Sequence, residues 1–167
     1  MAVGGRRNRG IIADDSDAFE DVAAGYSAGF ILEAHLEAFL AGHWKSISWG
    51  RLLQICEGPD GQPGHQFVTP IGRIDFLCID QVTNALVVVE LKRGRPSDMV
   101  IGQLARYMGY VRSHLAMPGQ SVEGFIVAHE ADDALRYAVA AFPGLQLMTY
   151  EVTFELSSVD EPPYPTS

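Results

Sequence analysis

The sequence holds no uninterrupted apolar run near the ~20 residues a bilayer-spanning helix needs, so no membrane segment is expected. The Arg6-Arg7-Asn8-Arg9 cluster is not followed by an apolar stretch. Ile11-Ile12 gives way at once to Asp14, Asp15 and Asp17, which argues against an export signal and for a cytoplasmic protein. Cysteine is nearly absent. Cys56 and Cys78 are the two present, and without CxxC spacing they read as small buried hydrophobes of a reducing compartment. The five histidines show neither HxH nor HExxH spacing, which speaks against zinc. No G-x-x-x-x-G-K-[ST] loop is found, which speaks against ATP-driven chemistry. Positive charge is also scarce: 12 Lys and Arg against 21 Asp and Glu give a net charge of −9. A protein that grips a polyanion by phosphate contact alone usually carries a basic surface. Any such surface here must be local, or be helped by bound cations or a partner chain.

What remains is ordinary for a folded globular chain. The 167 residues are 47% hydrophobic and 20% charged, enough for one domain with a core of its own. Residues 1–25 mix Gly and Arg with acids and read as an N-terminal arm; residues 158–167, with Pro162, Pro163 and Pro165, read as a loose tail. The domain is expected over residues 26–157.

Within it, a helix is expected from Ser27 to about Gly42, on the spacing of Ile31/Leu32, Leu36 and Phe39/Leu40. Ile47 to Cys56 reads as extended, and Gly58-Pro59-Asp60-Gly61 as a turn. Three further strands are expected at His65–Thr69, Arg73–Asp80 and Ala85–Lys92, the last two joined by a short loop at Val82-Thr83. Pro96 and Ser97 open a second helix with Asp98 in its first turn and a stripe of Leu104, Tyr107/Met108, Val111 and Leu115. A strand at Val122–Ala128, a helix at Ala131–Phe142 and a half-buried strand at Leu145–Leu156 complete the order. It predicts an α/β fold: a mixed sheet flanked by helices.

The segments Gly72-Arg73-Ile74-Asp75 and Val89-Glu90-Leu91-Lys92 carry the chemistry. Side chains alternate along a strand, so Glu90 and Lys92 share a face and Leu91 takes the other. A hairpin centred between Val82 and Thr83 places Asp75 opposite Glu90, with Cβ atoms roughly 4.5–5.5 Å apart. Two facing carboxylates in an apolar sheet repel, and their burial is costly. A divalent cation compensates: Mg²⁺ takes oxygen ligands, keeps several waters and needs few protein carboxylates. The Leu91 carbonyl can supply another oxygen. Lys92 beside such a site can orient a water or offset charge as a phosphodiester is attacked. The plainer alternative is a structural network in which Lys92 simply pairs with both acids. Both readings are open on spacing alone. Arg93, Arg95, Arg73, Arg106 and Arg112 are candidates for a local basic surface, and Arg6, Arg7 and Arg9 for a phosphate-gripping arm. Trp44 and Trp49 read as packing residues.

Several segments together resemble one family. Glu33-Ala34-His35-Leu36-Glu37, Gln66-Phe67-Val68-Thr69, Gly72-Arg73-Ile74-Asp75, Val89-Glu90-Leu91-Lys92-Arg93-Gly94 and Gly102-Gln103-Leu104-Ala105-Arg106-Tyr107 occur in the order and spacing of the NucS-type endonucleases of the PD-(D/E)XK superfamily. The resemblance implies a restriction-endonuclease-like fold and a DNA endonuclease dependent on Mg²⁺ or Mn²⁺. By it, Asp75 and Glu90 are metal-binding acids, Lys92 is the catalytic lysine and Glu33 the helix acid that completes the site; Glu37, one turn on, can substitute. Gln66 and Gln103 match polar residues near the scissile phosphate, with Tyr107 one turn beyond Gln103. Substrates are then mismatched, branched or single-stranded DNA, held by residues such as Arg73, Arg93 and Arg106, and the protein is a homodimer. The additional N-terminal domain of the fuller NucS pattern is not evident, nor is a clamp-binding tail. Recognition is therefore expected to draw on a partner protein, or the chain to be a non-catalytic or partner-gated DNA-binding subunit.

Overall fold

The computed structural model describes residues 34–151. These fall in two compact units, 34–47 and 48–151. The first holds helical residues 34–43, here α1, followed by a single 3-10 turn at Trp44–Ser46. The start of the expected Ser27 helix, Glu33, both terminal arms and the end of the last expected strand lie outside the described residues.

The second unit is built on a six-stranded sheet. Its strands are β1 (Leu53–Ile55), β2 (His65–Thr69), β3 (Gly72–Asp80), β4 (Leu86–Lys92), β5 (Val122–Ala128) and β6 (Leu145–Thr149), with α2 (Met99–His114) between β4 and β5 and α3 (Asp133–Ala140) between β5 and β6. The strand order is β1-β3-β4-β5-β6, and β2 also pairs with β3. β3 is long enough to hold β2 along Gly72–Phe76 and β1 along Cys78–Asp80. The pairs β1/β3, β2/β3 and β3/β4 are antiparallel, whereas β4/β5 and β5/β6 are parallel. The sheet is thus mixed, as expected, because hairpins make its first half and helical crossovers its second.

β4 explains its own place at the centre. Leu86, Val87, Val88, Val89, Glu90 and Leu91 are all buried, the continuous apolar pattern of a strand covered on both faces. α2 buries Val100, Ile101, Leu104, Tyr107, Met108 and Val111, the stripe expected from a 3.6-residue repeat. It lies close on β5 because Gly124 leaves room: a Cβ there would stand 2.7 Å from the Met108 sulfur. α3 is capped by Asp132, whose carboxylate accepts the Leu135 N–H at 2.9 Å.

The local differences from expectation have local causes. The extended stretch foreseen from Ile47 to Cys56 is a strand only over Leu53–Ile55, since Gly50 turns the chain with φ +67°. Asp98 is the N-cap of α2 rather than a first-turn residue, and its side chain makes no cap bond. α3 is shorter than foreseen: Asp132 caps it at one end and Ala141 is its C-cap. Trp44 and Trp49 are buried, and both cysteines are free thiols. Burial pushes the Cys56 thiol up to about 11 and the Cys78 thiol well above its usual range. Among the described residues no helix is long and apolar enough to cross a membrane.

Candidate active site

The candidate residues gather at the C-terminal end of β4, where the hairpin half of the sheet meets the parallel half. The carboxyl ends of parallel strands are where open α/β sheets commonly place ligands. β3 and β4 pair through Phe76↔Val89, Leu77↔Val88, Cys78↔Val87 and Ile79↔Leu86. One further step of this register sets Asp75 across from Glu90, as the hairpin symmetry predicts. On the other side of β3, Gln66 stands between the pairs His65↔Phe76 and Phe67↔Ile74, opposite the same Asp75. Continued register thus puts Gln66, Asp75 and Glu90 at neighbouring positions of three strands.

Glu90 continues the column of Leu86 and Val88 toward α2 and is 2% exposed. Its Oε1 accepts two bonds, from Lys92 Nζ at 2.8 Å and from Gln103 Nε2 at 2.6 Å. The first follows from strand alternation, and the second from the seating of the first turns of α2 beside β4. The Lys92 side chain keeps 26% of its surface exposed, so its head lies at the border between the buried acid and solvent. Asp75 is half-buried, and its Oδ2 accepts the Leu91 N–H at 2.7 Å. That bond spans β3 and β4 just past their last regular pair and ties the carboxylate to the backbone between Glu90 and Lys92. The Leu91 side chain itself is buried.

The other sequence candidates are distributed as follows. Gln66 is exposed and carries φ +53°, a left-handed conformation that is uncommon outside glycine. Tyr107 is 6% exposed and belongs to the core cluster, its hydroxyl pressed toward Gly72 rather than displayed to solvent. Gly72 has φ +134°, and a Cβ there would stand 2.6 Å from the Tyr107 oxygen. Arg73, Arg93 and Arg106 are exposed, as is Arg95, which reaches Glu130 at 3.4 Å. Glu37 lies on α1 in the other unit, and Glu33 lies outside the described residues.

The donor set suits a hard cation. Among the described residues, no group of three or more His, Cys, Asp or Glu is placed to hold a metal. A pair of carboxylates with a backbone carbonyl is nonetheless within what Mg²⁺ accepts, since it retains water in most of its shell. A cavity of about 510 Å³ lies elsewhere, beside β1, with Gln54, Cys56 and Ile79 on its walls, and none of the candidate residues lines it.

Two features escaped the sequence reading. Thr69 is buried and clasps the β2–β3 turn, donating from Oγ1 to the Gly72 carbonyl at 2.6 Å and accepting the Ile71 N–H at 3.2 Å; the Thr-Pro-x-Gly order was the available signal. Arg51 was not singled out at all. It binds Asp80 and Glu123 from far along the chain, and no local spacing announces it.

Residues 61–151 match the family described as the endonuclease NucS C-terminal domain. The chain belongs to this family. It is 34% identical over 121 residues to Endonuclease NucS of Mycolicibacterium smegmatis, covering 72% of this chain and 47% of that protein. To Endonuclease NucS of Mycolicibacterium vanbaalenii it is 33% identical over 121 residues, covering 72% and 48%. The chain therefore spans about half the length of the curated NucS relatives it matches. It is also similar to the solved structure of an EndoMS–dsDNA complex, with a TM-score of 0.56 and 21% identity over 74% of this chain and 46% of that one. At that identity the likeness speaks for the fold alone, a restriction-endonuclease-like mixed sheet.

Proposed function

We propose that this NucS-family chain is the catalytic part of a metal-dependent DNA endonuclease that hydrolyses phosphodiester bonds. The observation that supports this most is the row of opposed acids with its lysine: Asp75 across from Glu90, and Lys92 Nζ 2.8 Å from Glu90 Oε1. Asp75, Glu90 and the Leu91 carbonyl, with Glu33 from the chain preceding the described residues, would hold Mg²⁺ or Mn²⁺. Such an ion, when bound, supplies Lewis-acid polarisation of the phosphate and acidifies a water.

The chain's own groups do the rest. Gln103 fixes the Glu90 carboxylate from α2, and the Leu91 N–H fixes Asp75, so neither acid is free to turn. Lys92, anchored on Glu90 with its head partly in solvent, orients the attacking water and offsets negative charge that grows on the phosphate oxygens. Arg73, Arg93 and Arg106 are exposed cations for flanking phosphates, and Gln66 extends the acid row toward the substrate. Tyr107 acts from behind, by holding Gly72 and the start of β3.

DNA that is mismatched, branched or single-stranded is the proposed substrate class, and a homodimer the proposed assembly. A partner-gated subunit is the second reading. It is favoured by the −9 net charge, which leaves a DNA-gripping surface to be local or shared with another chain. One assay separates them: supercoiled, single-stranded, branched and mismatched DNA incubated with Mg²⁺ and with Mn²⁺. Nicking of at least one form is expected, and Asp75→Ala or Lys92→Ala should abolish it while the circular dichroism spectrum stays unchanged. Wild-type protein inert on every form with Mn²⁺ overturns the catalytic reading.

A further inference from the structure

The β2–β3 hairpin does not stop at the candidate site. It runs past Asp75 and ends in a tip, Val68-Thr69-Pro70-Ile71-Gly72, whose exposed residues are largely apolar. Val68 is 63% and Ile71 49% exposed, and Pro70 is exposed between them. A single exposed Val or Ile is common and needs no account. Three within four residues on a hairpin tip are different, since loops are ordinarily polar.

The tip is braced as well as apolar. Phe67 and Ile74 pair beneath it and are buried. Thr69 Oγ1 closes the turn with bonds to the Ile71 N–H and the Gly72 carbonyl. Gly72 sits so close to Tyr107 of α2 that no side chain fits there. The apolar residues thus stand on a stiff support tied to the helix that also carries Gln103. Arg73, directly opposite Val68 in the ladder, is exposed beside them.

We propose that this tip is a wedge for DNA bases a few steps from the cleaved bond, with Val68 and Ile71 pressing on the base stack and Arg73 holding the adjacent phosphate. The inference deepens the nuclease reading and rests on it. Apolar side chains on rigid elements are the means by which proteins part neighbouring base steps, and the pairing of two aliphatics with one cation matches the apolar stack and charged backbone of DNA. The reach also agrees. Gly72, where the turn enters β3, lies about 10 Å along the strand from Asp75 at ~3.3 Å per residue, which corresponds to roughly three base steps at 3.4 Å each, with Ile71 just beyond. The wedge would make cleavage depend on how easily the local stack opens, favouring mismatched or branched sites over regular duplex.

The test uses the full chain and duplexes carrying 2-aminopurine at successive positions around the mapped cleavage point, with Ca²⁺ to allow binding without turnover. Wild-type protein should brighten the probe at positions within about four steps of the cut. Val68→Ser/Ile71→Ser should lose that signal, keep its melting temperature, and lower the preference for mismatched over matched duplex by about tenfold. It should leave cleavage of single-stranded DNA unchanged, since no stack has to be opened there. If wild-type protein cleaves but the double variant keeps both the 2-aminopurine signal and the preference, the wedge is wrong and the nuclease reading stands. If the variant instead converts a dimer to a monomer in sedimentation with the DNA signals intact, the tip is a protein interface and the wedge is again overturned. If wild-type protein neither binds nor cleaves DNA, both readings fail.

Discussion

β3 carries an acid near each end, and the two ends of the sheet treat their acids differently. At its C-terminal end, Asp80 is 2% exposed and meets the guanidinium of Arg51, which also binds Glu123 of β5 and reaches Thr83 Oγ1 at 3.3 Å. The same guanidinium lies over the Phe125 ring, 5.7 Å from its centre. Asp80 Oδ1 further accepts the Val82 and Thr83 N–H groups at 2.8 and 3.0 Å. At the other end, one step beyond the last regular pair of β3 and β4, Asp75 accepts the Leu91 N–H while Glu90 accepts from one lysine ammonium and one neutral amide. Each end pairs a cation with a buried acid, Arg51 with Asp80 and Lys92 with Glu90. They differ in the cation: a planar fork that locks two carboxylates at fixed angles, or a point charge on a flexible stem. The first arrangement is a clasp. The second holds its acids through a lysine, an amide and one backbone N–H, bonds that the proposed metal site would have to share or replace.

The comparison breaks most sharply with a matched pair of isosteric neutralisations. Glu90→Gln should reduce cleavage by at least about 10²-fold, the scale of losing a charge-stabilising group. In EDTA its melting temperature should stay level or rise, because one of two repelling carboxylates is gone and the amide oxygen still accepts from Lys92 and Gln103. Any melting shift that Mg²⁺ gives the wild type should vanish. Asp80→Asn should do the reverse, lowering the melting temperature by several degrees while cleavage well below that temperature is retained, since a buried acid that has lost its charge no longer holds Arg51. Differential scanning fluorimetry with and without Mg²⁺, beside a nicking assay, reads both. Equal signs for the two variants would erase the distinction between clasp and site.

A smaller effect concerns pH. The backbone N–H of Thr83, then that of Val82, and then Arg51 hold the Asp80 carboxyl below its ordinary value of 3.8. A group whose folded value is depressed contributes stability that is fully present above the unfolded value and is lost as pH falls through the folded one. Urea melts between pH 6 and pH 3 should therefore show wild-type stability falling below about pH 4. The Asp80→Asn variant, less stable at pH 6, should converge on the wild type at the acid end. Parallel curves across that range would mean that Asp80 contributes nothing through its charge.

Much of the site end was legible in the sequence because its logic is local. Strand alternation puts Glu90 and Lys92 on one face, and the Val82-Thr83 centre of the hairpin sets Asp75 against Glu90; both need only a period of two and a symmetric turn. The β3, β4 and β5 boundaries were readable for the same reason, as apolar runs bounded by turn residues. Arg51 was invisible because its partners are brought to it by the sheet, not by spacing. Tyr107 was ambiguous in sequence, being on the apolar stripe and one turn from Gln103, and its tight fit on Gly72 exists only once α2 has docked. The strand foreseen from Ile47 failed because Gly50 takes a positive φ that composition does not reveal.

The least of the expected effects bears on Gln66, where the acid row meets its backbone strain. Residues in the left-handed region cost about 1 kcal/mol or more unless they are glycine, and Gln66 holds φ +53° as the second residue of β2. In an ordinary strand, Gly is less stable than Ala. Here the order should invert: Gln66→Gly should be more stable than Gln66→Ala by about 1 kcal/mol in chemical denaturation, since both lose the side chain and only glycine relieves the backbone. If the side chain meets substrate, cleavage falls alike in both variants. If instead the kink alone serves the site, by interrupting the ladder opposite Asp75, the glycine variant keeps its rate. Ala more stable than Gly would show that the left-handed turn is not held in solution, and the row of Gln66, Asp75 and Glu90 would lose its outer member.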